Sequence, residues 1–228
     1  MITSRKRGYF GIVCLHLTFE LGKVHSKSIR QQVVDMFVNV DKTLATTLAK
    51  LIDVNPPKGD HVNVNASSPA LSQSNTIKSP QTLKVGILIG NGFDGTGLEN
   101  ILNNFTRHGI QYVVVSQKLG TVESAQGQQL KVSETFLTTY PVLFDSLFVV
   151  GGTATDQAKF NSDMKNYIRE AFQHYKPILV ATTGEPFMEA ANAPEAPGVI
   201  YEKDNPNFAQ ESVRAIAEQR FWDRDINI

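Results

Sequence analysis

The sequence has one cysteine, Cys14, one tryptophan, and no excess of either charge: 22 lysines and arginines stand against 22 aspartates and glutamates in 228 residues. A lone thiol rules out an intramolecular disulfide and any multi-cysteine metal site, and it fits a reducing compartment. Balanced charge leaves no global field to hold the protein on nucleic acid or on an anionic membrane surface, so neither is expected as a partner. The five histidines, His16, His25, His61, His108 and His174, show no metal-ligand spacing, and no metal site is expected. No apolar run approaches the ~20 residues that cross a bilayer. The start of the chain is less plain. Arg5-Lys6-Arg7 ahead of "GYFGIVCLHLTF" has the basic and apolar regions of a secretory leader, yet "ELGKVHSKS" follows without a small-x-small cleavage site. A buried strand or loop is the expectation there.

What is present falls into three parts. In residues 1–54 a helical pair is expected: Ile29, Val33, Met36, Phe37 and Val40 fall on one face, and after Asp41 as N-cap a second stripe runs through Leu44, Leu48, Leu51 and Ile52. Two helices this short cannot make an independent core and must pack on something else. Residues 55–82 hold four prolines and many serines and asparagines with no apolar period, which reads as an extended linker. From residue 83 short apolar runs alternate with amphipathic helices. "LKVGILIG" (83–90), "IQYVVVS" (110–116), "SLFVVGG" (146–152) and "PILVATTG" (177–184) read as strands. Helical stripes run through Leu98, Ile101, Leu102 and Phe105, through Phe160, Met164, Tyr167, Ile168, Phe172 and Tyr175, and through Val213, Ile216, Ala217 and Phe221. The alternation predicts an α/β fold: a flavodoxin-like, doubly wound parallel sheet over 83–228, preceded by a short helical segment and the linker. Any ligand site is expected beyond the C-terminal strand ends.

Three glycine-bearing turns sit at those ends. "GNGFDG", Gly90 to Gly95, has GxGxxG spacing between a strand and a helix, the setting of a dinucleotide fingerprint. The acid that would hold a ribose after the second strand is missing, where the chain reads Ser116-Gln117-Lys118, and Asp94 would face the anion being cradled. A structural turn is the better reading, with a nucleotide-binding module as the alternative. Gly151 and Gly152, ahead of cap candidates Thr153 and Thr155, suit an oxyanion or a chain reversal equally. The third turn, "VATTGEPF" (180–187), has the shape of a nucleophile elbow with threonine at its corner. An internal threonine needs a base, and no histidine follows His174. Glu185 instead favours the start of a helix. A hydrolase using Thr182 or Thr183 with Asp94 or Glu99 is the second alternative.

These residues carry a resemblance at two levels. The domain from 83 resembles the class I glutamine amidotransferase and intracellular protease superfamily, whose members place a cysteine at the position of Thr182, an acid near Gly97 and often a histidine by the elbow. The resemblance implies the fold; the departures imply a vestigial pocket of Asn91, Asp94, Gly151, Gly152, Thr182 and Thr183 with no catalytic, cofactor or metal-binding residue. More specifically, "TFELGKV" (18–24), "IRQQVVDMFVNVD" (29–41), "LATTLAKLIDV" (44–54), the linker, and "AIAEQRFWDRDI" (215–226) resemble, in order, the C-terminal region of large-subunit catalases. That family decomposes hydrogen peroxide at a haem held by a tyrosine, with a distal histidine and asparagine, in a β-barrel core that should precede residue 18. Arg5 and Tyr9 share the spacing of its haem-ligand motif without the rest of it, which reads as coincidence. The resemblance implies no cofactor in this chain, haem in the full-length family, and a stabilising role with a second copy or the catalase core as partner. It further implies a chaperone-like hold on unfolded clients and a cytoplasmic or peroxisomal location.

Overall fold

The computed structural model describes residues 4–59, 68–71, 75–153 and 157–226. The coordinates divide into two compact units, Met1–Ile77 and Lys78–Ile228. Much of the expected linker, residues 60–67 and 72–74, and the cap candidate Thr155 lie outside the described residues.

The first unit contains three helices, α1 (Ser4–Gly22), α2 (Lys27–Phe37) and α3 (Lys42–Leu51). The strand or loop expected at the start is therefore corrected to a helix of 19 residues. Its Leu17 and Leu21, one turn apart, pack with Val34, Leu48, Ala49 and Ile52, which supplies the tertiary contact that decides the conformation. Asp41 is the N-cap of α3 as expected: its carboxylate accepts the Leu44 N–H at 2.8 Å. The apolar face of α2 is rotated from the expected one. Val34 is fully buried, Val33 and Phe37 are partly covered, and Ile29, Met36 and Val40 are exposed. The helix also ends at Phe37, short of Val40, and Leu51 on α3 faces outward.

The second unit starts with β1 (Lys84–Ile89), α4 (Leu98–Arg107) and β2 (Gln111–Ser116). Gly109, at φ 69°, ends α4, where the Ile110 N–H reaches back to the Phe105 carbonyl at 2.9 Å. A hairpin of β3 (Gly120–Glu123) and β4 (Gln129–Val132) follows, then the two-residue β5 (Glu134–Thr135) and β6 (Ser146–Gly151). The chain continues through α5 (Gln157–Gln173), β7 (Ile178–Val180), α6 (Glu185–Ala190), β8 (Val199–Tyr201) and α7 (Phe208–Glu218).

Six strands form one parallel sheet in the order β5-β2-β1-β6-β7-β8. Without the short edge strand β5 this is the flavodoxin-like order, as the alternation of elements predicts. Residues alternate between the two faces: Leu147 and Val149 point to α5 and α6, while Phe148 and Val150 point to α4 and α7. Packing on both sides explains why β6 is buried throughout and apolar from Leu147 on, with the Ser146 hydroxyl donating to the Pro177 carbonyl. Two expectations are corrected at the ends. The strand read over 177–184 stops at Val180, where Thr182–Gly184 form a 3₁₀ turn, and Phe221 lies beyond α7. Because β1 has neighbours reached in opposite directions, the sheet's switch point falls between β1 and β6, beneath the Gly90 and Gly151 turns.

Candidate functional site

The switch-point crevice is where a ligand would sit, and the turns around it are filled by main chain. The Gly90 N–H donates to the Gly151 carbonyl at 2.9 Å, and the Thr153 N–H donates to the Asn91 carbonyl at the same distance. A Cβ on Gly152 would lie 2.5 Å from the Gly90 carbonyl oxygen, so glycine is needed there for close approach of two turns. A Cβ on Gly184 would meet the Val149 carbonyl oxygen at 2.1 Å although the backbone of Gly184 is ordinary, φ −87°. The glycines pack three strand ends together.

The β3–β4 hairpin, absent from the sequence reading, then folds over the "GNGFDG" turn. The Gly92 N–H donates to the Glu123 carbonyl, the Ala125 N–H to the Phe93 carbonyl, and the Gly95 N–H to the Gln126 side-chain oxygen. The Asn91 side chain accepts the Glu123 N–H at 2.9 Å. Asp94 accepts from the Thr96 N–H at 2.8 Å and from the Gln126 amide at 3.1 Å. The Thr96 amide is the main cause that holds the Asp94 carboxyl below the usual carboxylate range. Phosphate cradles need free amides and a helix opening directly from the motif. Here the amides of Gly90, Gly92, Gly95 and Thr96 already have acceptors, and α4 opens only at Leu98.

The elbow position differs from a catalytic elbow in the same sense. Thr182 is exposed and is not among the residues with left-handed backbone, so the strain that lifts a nucleophile is missing. The Thr183 hydroxyl donates to the Val150 carbonyl at 2.6 Å, which occupies its proton without activating it. The residue that sequence reasoning missed is Glu202, immediately after β8. Its carboxylate accepts the Thr182 main-chain N–H at 3.2 Å and lies 3.7 Å from where a Cβ on Gly97 would stand. An acid thus does stand beside Gly97, supplied by β8. Burial raises the Glu202 carboxyl above its ordinary range; the Thr182 N–H opposes the shift and Asp94 adds to it. Its signal was its place after the apolar triplet Val199-Ile200-Tyr201, at a C-terminal strand end. Glu185 starts α6 and lies 3.7 Å from the Lys203 ammonium, while Glu99 sits in the first turn of α4.

Thr182, Thr183, Gly151 and Gly152 are therefore brought together around one corner, with Asn91 and Asp94 tied into the hairpin beside it. The corner has an exposed hydroxyl, a raised carboxyl and no histidine among the contacts that define it.

Comparison with known proteins agrees with this architecture. Residues 81–225 match the family of C-terminal domains found in long catalases. A "Catalase" of Alkalihalophilus pseudofirmus is 44% identical over 207 residues, covering 91% of this chain and 30% of the relative. "Catalase-2" of Bacillus subtilis is 40% identical over 213 residues, covering 91% and 31%. A deglycase of Pyrococcus horikoshii is 27% identical over 109 residues, covering 48% of this chain and 66% of the relative. The chain spans about a third of the length of the catalases it matches. With the match extending over most of the chain and the sheet order and closed turns described above, the chain belongs to the family of C-terminal domains of long catalases.

Proposed function

We propose that the chain serves a long, haem-containing catalase as a non-catalytic module that stabilises and assembles the enzyme. The observation that carries this reading is the match of residues 81–225 to a domain placed C-terminally in long catalases, in a chain covering only about a third of such relatives. The contacts at the switch point support it, because the Gly90, Gly92 and Gly95 amides that a phosphate would need already donate to main chain and to Gln126. The bacterial relatives support a cytoplasmic setting.

Haem is the group the family implies, and the described residues do not fit it. Their main sheet is open and packed by helices on both faces, with no barrel. A groove of about 570 Å³ beside α6 carries Tyr201 but also three glutamates, which would repel the haem propionates, and a cavity of about 140 Å³ beside α5, lined by Lys165 and Arg169, is too small for a haem. No step of peroxide chemistry is assigned to these residues.

Removal of the corresponding segment from the Alkalihalophilus pseudofirmus catalase is the test. Turnover per haem should persist while thermal inactivation comes earlier and the assembly weakens. Unchanged inactivation and assembly would overturn the proposal.

A holdase-like activity is a second reading, favoured by Leu15, Phe19, Ile29, Met36, Val40 and Leu51, all exposed in the first unit. Suppression of client aggregation by the purified chain is its expected result, and no effect at several-fold molar excess removes it. The hydrolase and nucleotide readings are tested by a Thr182→Ala/Thr183→Ala variant and by thermal shift with dinucleotides.

A further inference from the structure

The side of α5 that faces the turn after α6 carries two cations that form no ion pair among the described residues. Lys165, Arg169 and Gln173 follow one another at four-residue steps and so share a face. With Asn192 and Ala193 from that turn, and Phe172 beneath, they line the cavity of about 140 Å³. Neither Lys165 nor Arg169 forms an ion pair among the described residues; Glu170, the acid beside Arg169 in the chain, is directed to His174 at 3.6 Å. Like charges one helical turn apart repel, and an anion held between them would relieve that repulsion.

The remaining surroundings admit an anion. Among the carbonyls near the end of α6, those of Phe187, Met188 and Glu189 accept N–H groups of Ala191, Ala193 and Asn192. Asn192 adopts a left-handed backbone, φ 51°, which its short amide side chain tolerates, and it borders this cavity and the acidic groove alike. Beyond it stand Glu185, Glu189 and Glu195. An extended polyanion overrunning the small cavity would meet three carboxylates, whereas a compact one would meet only the two cations and two amides.

We propose that the Lys165–Arg169 cavity binds a compact oxyanion, the phosphate or carboxylate group of a small ligand. The cations supply charge-assisted hydrogen bonds, and the Gln173 and Asn192 amides supply neutral donors. The site is independent of the catalase reading and of the switch-point corner.

The test is an amide NMR titration of the full chain with inorganic phosphate and, separately, acetate, at ionic strength held constant with chloride. Saturable shifts are expected at Arg169, Gln173, Asn192 and Ala193, with half-saturation on the order of 1 mM. Saturation by phosphate alone assigns a phosphate group, and saturation by both assigns any carboxylate-sized oxyanion. A Lys165→Gln/Arg169→Gln variant, whose unchanged spectrum elsewhere verifies the fold, should weaken binding about tenfold or more. Linear shifts matching those of chloride, or saturable binding undiminished in the variant, would overturn the proposal.

Discussion

Lys176 shows how a buried charge is held by main chain. It is almost wholly buried and its ammonium donates to the Pro141 and Phe144 carbonyls at 2.7 and 2.6 Å, fixing the turn before β6. Burial, reinforced by Arg220, pulls its pKa down to about 8, against the opposing pull of Asp145 and Glu170. Its folded pKa lies below its ordinary value, so the unfolded chain binds more protons between the two, and stability should rise with pH across pH 8 to 10. Above pH 10 the trend reverses, because Tyr167, whose hydroxyl donates to the Thr139 carbonyl, has its pKa raised by burial and must lose its proton at a cost to the fold. Urea unfolding at pH 7, 8, 9 and 10 should trace this rise, at most about 3 kcal/mol, and Lys176→Met should flatten it. Gly184 makes a purely steric prediction. Since its Cβ would meet a carbonyl oxygen at 2.1 Å with no flexible group to yield, Gly184→Ala should cost about 3 kcal/mol, read from the urea midpoint.

The C-terminal segment after α7 acts as an element without secondary structure. Arg224, buried, donates to the carbonyls of Pro197, Phe172 and Lys176 at 2.9 to 3.0 Å, and its guanidinium stacks 4.6 Å from the Phe172 ring centroid. The Phe221 N–H adds a bond to Tyr175, whose left-handed backbone turns the chain between α5 and β7. Arg224→Ala should take a donor from the Pro197, Phe172 and Lys176 carbonyls, the last two bonds buried, and cost about 3 kcal/mol, with earlier cleavage of the C-terminal segment in limited proteolysis. The sequence made the repeated elements legible: β1, β2, β6 and β7, the helices between them, and the Asp41 cap all follow from apolar period and capping chemistry. What it hid were elements held by partners far along the chain. The β3–β4 hairpin has only one buried residue on each strand, Val122 and Val132, so it lacks an apolar run. Its role appears only when Glu123 and Gln126 meet the Gly90–Gly95 turn. Likewise α2 shows an apolar stripe, but which of its two edges turns inward depends on Leu48 and Leu21. At the candidate site the threonine corner was legible and Glu202 was not, because β8 is three residues long.

For the whole molecule, hydrogen-bonded turns at the switch point, an elbow without left-handed backbone, and apolar side chains exposed in the first unit fit the proposed role of a module that makes contacts within a catalase. On the proposed reading, peroxide chemistry lies outside this chain. The direct test is to purify it, incubate it with haemin, and record both stoichiometric haem uptake by the Soret band and peroxide consumption. Neither uptake in a fixed ratio nor consumption above that of free haemin is expected. A product carrying haem in a fixed ratio and turning over peroxide would contradict that reading.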